Sequence, residues 1–167
     1  TEQVEKMQQI LLKERTGRKP PLLDDKVLTS WNGLMIRSLA DGGRVLKKPK
    51  YTLAAAKAAD FLLDKLRDKS KSHLLRTYRK GKAKLHAYLV DYAFLVEGLL
   101  ALHQATGEAK WLTAAQKLTD EQITLYWDKT RHGFYFTSHN HEELLARTQN
   151  GFDSVLPSGN STSIRNL

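Results

Sequence analysis

WLTAAQKL, from Trp111 to Leu118, repeats in outline a segment lying 60 positions earlier, YTLAAAKA from Tyr51 to Ala58. The correspondence runs outward without a gap. Leu34, Met35 and Ile36 align with Phe94, Leu95 and Val96, and Leu39 aligns with Leu99. Further on, Leu74, Leu75, Arg76 and Thr77 align with Phe134, Tyr135, Phe136 and Thr137. A fixed period that carries two helical patterns and then a short extended piece is the signature of stacked helical hairpins.

Within each unit the two helices differ. The first helices, WNGLMIRSLA and YAFLVEGLLALH, are apolar nearly all round, which predicts burial on most sides. The second, YTLAAAKAADFLLDKL and WLTAAQKLTDEQITLYW, set an apolar stripe against Lys, Asp, Glu and Gln, which predicts an outer position facing water. Ser30 is placed to cap a helix from about Trp31 to Leu46, and Asp91 one from about Tyr92 to Thr106. Gly107 supplies a left-handed stop to the second of these helices, and Pro49 opens the helix that follows the first. LLRTYR and GFYFTS follow the outer helices as strand-like runs, and ELLART beyond the second predicts a small projecting hairpin.

At the start of the chain, Val4, Met7, Ile10 and Leu11 give Thr1 to about Glu14 the spacing of an outer helix from a preceding unit. At its end, DSVLPSGNSTSIRNL from Asp153 reads as the beginning of a third inner helix. Residues 1–167 therefore read as one partial domain of about two and a half hairpins, all-α with short β-hairpin insertions, in a piece of a larger protein. Buried helices inside amphipathic ones fit either an α/α barrel or a curved α-solenoid.

Composition removes several function classes. No apolar run reaches the roughly 20 residues of a membrane helix, and no secretory leader opens the chain, so a cytoplasmic protein with no membrane partner is expected. With no cysteine there is neither a disulfide nor a thiolate metal site. The net charge of +9 is concentrated in residues 1–90, which hold 21 Lys and Arg against 9 acids. Lys47, Lys48, Lys50, Lys65, Lys69 and Lys71 are scattered without interleaved aromatics, which fits solvated faces and not nucleic-acid binding. His139, His141, Glu142 and Glu143 form the densest cluster of His and carboxylate, yet a polar loop tip lacks the convergence a metal needs. Gly42 and Gly43 lack a phosphate-loop spacing, and no nucleophile elbow is present; no cofactor is expected.

If the inner helices run the same way, their N-termini gather at one mouth, where unpaired N–H groups and the positive dipole end suit a hydroxylated or anionic ligand. The polar residues at those tips are Asp24, Asp25, Lys26, Trp31 and Asn32 in the first unit. In the second they are His86, Asp91 and Tyr92, and in the third Asp153, Ser158, Asn160 and Ser161. Lys26 and His86 share one place in the repeat, as do Asn32 and Tyr92. His86 is a candidate general base, a role histidine fills more often than any other side chain. Arg76 and Arg79 carry planar forks suited to an anion.

PLLDDKVLTSWNGLMIRSLA, VDYAFLVEGLLAL, GFYF and DSVLPSGNS, in that order, together resemble the C-terminal helical part of the spermatogenesis-associated, thioredoxin-domain-fused family, from about Arg15 to Leu167. The resemblance implies an (α/α)6 barrel of the six-hairpin glycosidase and N-acylglucosamine 2-epimerase type, joined in the parent protein to the remainder of the barrel and a thioredoxin-like domain. Family positions fall on Asp24, Asp25 and Lys26; on Trp31, Asn32 and Gly33; on Asp91, Tyr92 and Ala93; and on Pro157, Ser158, Asn160 and Ser161. Val90 stands where the family's usual second aspartate precedes Asp-Tyr-Ala, and no epimerase histidine maps onto the chain. The resulting expectation is a carbohydrate-active or carbohydrate-binding barrel, epimerase-like or glycosidase-like, with a sugar-like ligand at the mouth. Asp25, Asp91, Asp153 and His86 are its acid–base candidates, Trp31 and Tyr92 its stacking surfaces, and Lys26, Asn32, Arg76, Ser158 and Asn160 its polar ligand contacts. The alternative is a non-catalytic scaffold that docks the fused thioredoxin-like domain.

Overall fold

The computed structural model describes residues 2–68, 73–142 and 145–167. Helix α1 spans Glu2–Thr16 and is exposed along its whole length, its apolar Val4, Met7, Ile10 and Leu11 included. Two helical hairpins follow, α2 (Thr29–Val45) with α3 (Pro49–Lys65), and α4 (Leu89–Thr106) with α5 (Ala109–Tyr126). A final helix, α6, spans Gly159–Asn166. Strands β1 (Val27–Leu28), β2 (Leu75–Arg79) and β3 (Lys82–His86) form an antiparallel sheet in that order, while β4 (Trp127–Asp128) pairs with β5 (Gly133–Phe134).

Inner and outer helices behave differently because their residues do. Helix α4 buries 12 of its 18 residues, among them Phe94, Leu95, Val96 and Leu99, and so forms the centre of the core. Burying such a side chain contributes about 1.5–3 kcal/mol. Helices α3 and α5 bury a single stripe each, Ala55, Ala59 and Leu62 in one and Trp111, Ala115, Leu118, Gln122, Leu125 and Tyr126 in the other. Helix α2 is less enclosed than its composition predicts: Trp31, Met35 and Val45 are exposed, and its buried side is drawn by Gly33, Ile36, Ala40 and Gly43.

The α2–α4 crossing is backbone on backbone. A Cβ at Gly33 would stand 2.5 Å from the Phe94 carbonyl carbon, and one at Gly98 would stand 2.7 Å from the Gly33 oxygen. Only residues without a side chain permit that approach. Glu97 of α4 then accepts from Arg37 of α2 at 2.7 Å and from Arg165 of α6 at 2.6 Å, joining all three inner helices through one buried carboxylate.

The 60-residue offset recurs in the hydrogen bonds. The Leu75 N–H donates to the Leu66 carbonyl at 2.8 Å, and the Tyr135 N–H donates to the Tyr126 carbonyl at 2.9 Å. The bridge between Arg67 and Leu74 likewise recurs as Trp127 with Phe134. Each strand is also tied to the next inner helix by a side chain: Tyr92 Oη accepts the Leu74 N–H at 3.0 Å, and Asn160 Oδ1 accepts the Phe134 N–H at 2.8 Å.

Several expected details change. Ser30 is not the cap of α2, which begins one residue earlier at Thr29 with Leu28 as its N-cap. Asp91 lies at the third position of α4, with Tyr88 as N-cap, and so acts from inside the helix. His86 is the last residue of strand β3. Gly133 and Phe134 of the GFYF run pair backward with Trp127–Asp128, while the Phe136 N–H reaches forward to the Thr148 carbonyl at 2.7 Å, at the end of ELLART. Glu143 and Leu144 of the expected hairpin, with Lys69 and Lys71, lie outside the described residues. Gly107 does end α4 at φ 72°, and Pro49 does open α3.

Because backbone blocks the space at Gly33, Gly33→Ala should cost at least about 2 kcal/mol in urea denaturation. Gly42→Ala, in the same helix with nothing within 4 Å, should raise stability by up to about 1 kcal/mol.

Candidate functional site

The starts of α2, α4 and α6 are each built around an acceptor for orphan N–H groups. At α4, Asp91 is wholly buried and its Oδ2 accepts the Tyr88 N–H at 2.9 Å. Its other oxygen reaches across to α2 and accepts the Ser30 N–H at 3.0 Å. Arg76 of β2 completes the set at 3.4 Å from Oδ2. Burial outweighs the Tyr88 N–H, the Arg76 guanidinium and Ser30 and leaves the Asp91 carboxyl above its usual range. All three partners are donors, so the hydrogen bonds themselves suit the carboxylate form.

This anchoring turns Arg76 over the Tyr88 ring, 4.6 Å from its centroid. Tyr88 also stacks on Phe136 at 4.8 Å and on His141 at 5.5 Å, and His141 lies 6.2 Å from His86. The result is one group of a guanidinium, two imidazoles and two aromatic rings, all partly exposed, beside the start of α4. His141 Nδ1 is buried without a hydrogen-bond partner. Next to this group, Val90, Phe136, Phe152, Pro157 and Ser158 line a cleft of about 310 Å³ between the starts of α4 and α6.

The other expected site residues are distributed as follows. Ser158 caps α6, its Oγ accepting the Ser161 N–H at 3.0 Å, and Asp153 accepts the Ser158 N–H at 2.8 Å. That N–H holds the Asp153 carboxyl below its usual range. Asn160 spends its amide on backbone, accepting from Phe134 and donating to the Phe134 and Asn150 carbonyls at 2.9 and 3.1 Å. Asn32 donates to the Leu28 carbonyl at 2.9 Å within its own helix turn. Trp31 stands 62% exposed, an indole open to a ligand and not the buried one its helix suggested.

Tyr92 must be corrected from a stacking surface to a core residue. It is 1% exposed, packs 5.4 Å from the Tyr126 ring and donates to Glu121 at 3.3 Å. Asp25 and Lys26 stand apart from the mouth on the exposed side of the sheet, Asp25 paired with Arg79 and Lys26 with Asp24 at 3.3 Å. Asp25 and Asp91 consequently do not form a carboxylate pair. Tyr88, Phe136 and His141 were not among the tip residues picked out from the sequence. Tyr88 could have been found from the repeat, since it occupies the N-cap column of Leu28 and Ser158.

The architecture is that of the α/α six-hairpin barrels. A cellobiose 2-epimerase from Spirochaeta thermophila superposes with a TM-score of 0.65 at 20% identity, over 84% of this chain and 36% of that one. A GH76 α-mannanase from Bacteroides thetaiotaomicron gives 0.62 at 18% identity, over 71% and 33%. In sequence, the chain belongs to the spermatogenesis-associated protein 20 family. It is 37% identical to the rat protein and 36% identical to the human one over 94% of its length, and it spans 21% of theirs. An uncharacterised protein of Caenorhabditis elegans is 29% identical over 98% of the chain. No family model matches. Among the described residues, no helix is long and apolar enough to cross a membrane.

Asp91→Ala should cost about 2–4 kcal/mol in chemical denaturation, since it strands the Ser30 and Tyr88 N–H groups, whereas Asp25→Ala should change stability by less than about 0.5 kcal/mol. The depressed Asp153 carboxyl makes its contact with Ser158 persist above its ordinary titration range and vanish as pH falls through the lowered value. An NMR titration of the Ser158 amide should show that loss only on the acid side of an ordinary aspartate.

Proposed function

We propose that the mouth at the inner-helix N-termini binds a sugar-like ligand, and that residues 1–167 are one partial barrel contributing that part of the mouth. The observation that carries the reading is the Asp91 anchor, which holds Arg76, Tyr88, His86 and His141 around one opening. Tyr88, Phe136 and exposed Trp31 offer flat apolar faces to a pyranose ring, and Arg76 with the two imidazoles offers donors to its hydroxyls. The barrel relatives, an epimerase and a glycosidase by name, support a carbohydrate ligand.

The roles divide by exposure. Asp91 touches no solvent and is a positioning residue. His86, partly exposed and beside a second imidazole, is the acid–base group presented to a bound sugar. Asp153 and Ser158 set the far wall by fixing the start of α6.

A thermal-shift panel of free, N-acetylated and phosphorylated monosaccharides and disaccharides tests this. A bound sugar at 100 times its dissociation constant should stabilise the fold by about 2.7 kcal/mol. Arg76→Ala and His86→Gln should abolish the shift, and Asp25→Ala should keep it. A panel flat for both this chain and its longer relatives overturns the reading.

A further inference from the structure

The β2–β3 hairpin concentrates positive charge on the side turned away from the mouth. Its register sets Arg79 directly opposite Lys82 and Thr77 opposite Lys84, so these four side chains share one face. Arg76, one residue removed along β2, projects from the other face toward Asp91. A two-residue turn fixes the register: Lys80 at φ 48° and Gly81 at φ 79° both adopt the left-handed region that such a turn requires. Lysine is a strained choice at the first of these positions, where Asn or Gly would sit more easily.

With Lys26 contributed from beside β1, Thr77, Arg79, Lys80, Lys82 and Lys84 line a groove of about 460 Å³. Five cations meet only two nearby carboxylates, Asp25 on Arg79 and Asp24 on Lys26. Lys80, Lys82 and Lys84 have no acidic partner among the described residues. Like charges placed directly across a strand pair repel and destabilise the sheet. Solvated lysines need no such convergence, because they can be spread over any exposed helix face. A concave site that gathers them against their own repulsion is arranged for negative charge supplied from outside.

We propose that this groove binds the phosphate groups of a small phosphorylated ligand, with Arg79 giving a forked contact and Lys82 and Lys84 giving point charges. Its volume suits a small molecule, and no aromatic ring lines it for stacking nucleic-acid bases. Tyr78, the nearest ring on the strand, packs edge-on against Phe61 at 5.1 Å on the helical side. The site is independent of the sugar mouth, so either can fail without the other.

The probe is inorganic pyrophosphate, with inorganic phosphate as the weaker comparison, titrated into the full chain at constant ionic strength and followed by amide NMR. Shifts should cluster at Lys26 and residues 77–84. Lys82→Glu should weaken pyrophosphate binding by about tenfold or more, because one attraction becomes a repulsion. The same substitution places an acid opposite Arg79 and should raise the melting temperature, which separates loss of binding from loss of fold. Lys82→Arg should keep binding. Shifts no larger than those from added chloride, a Lys82→Glu variant that binds as well as the parent or melts lower, or binding of a single-stranded oligonucleotide without pyrophosphate binding would each overturn the proposal.

Discussion

The Asp91 carboxylate accepts from the Ser30 N–H on α2 and from the Tyr88 N–H at the head of its own helix, while Arg76 approaches it from the sheet. A charge removed from water is costly unless its acceptor sites are filled by donors held in place. That requirement couples three segments far apart in sequence. If α2 slid along α4, Ser30 would leave; if β2 moved, Arg76 would leave. The carboxylate therefore sets the axial register of the two inner helices, and the glycine crossing at Gly33 and Gly98 sets how close they come.

From that register the mouth follows. Arg76, tethered by the carboxylate, lies over Tyr88, and Tyr88 in turn stacks with Phe136 and His141. These rings come from the N-cap of α4 and from the segment after β5, which the Leu89 N–H fastens by donating to the Phe136 carbonyl at 3.0 Å. Less than two turns further along α4, Glu97 ties α2 and α6 to it through Arg37 and Arg165. The helices are thus held by polar contacts at two levels and by apolar packing between them, an arrangement that keeps the N-terminal ends aligned without filling the opening.

Much of this was legible in the sequence because the repeat is strong where packing demands it. Leu34, Met35 and Ile36 against Phe94, Leu95 and Val96 gave the inner-helix column, and the Ala-rich stripes gave the outer one. Resemblance supplied the choice of barrel over solenoid, which periodicity left open. The site was less readable. Asp91 was found, but as a cap of its own helix, since a contact between residues 61 apart leaves no mark on local pattern. Tyr92 was misplaced because the fourth residue of a helix can turn either to the opening or to the core, and here Leu74 and Glu121 draw its hydroxyl inward. The β3 strand escaped notice because KAKLH buries no residue and exposes Lys82, Lys84 and Leu85, its pairing fixed by the Lys80–Gly81 turn and not by an apolar face.

The helix heads at Leu28, Tyr88 and Ser158 are separated by 60 and then by 70 residues, although the ladder bonds at Leu75 and Tyr135 keep the shorter interval. All of the extra length therefore lies between Tyr135 and Ser158, in the stretch that also carries His141 and Phe152. A ruler of constant length laid along the chain loses its place there, while the stacking in space does not. Insertions of that kind let the walls of the opening diverge from unit to unit while the pitch of the helical layers stays the same, so differences among members of this family should be sought in the spans between ladder and helix head.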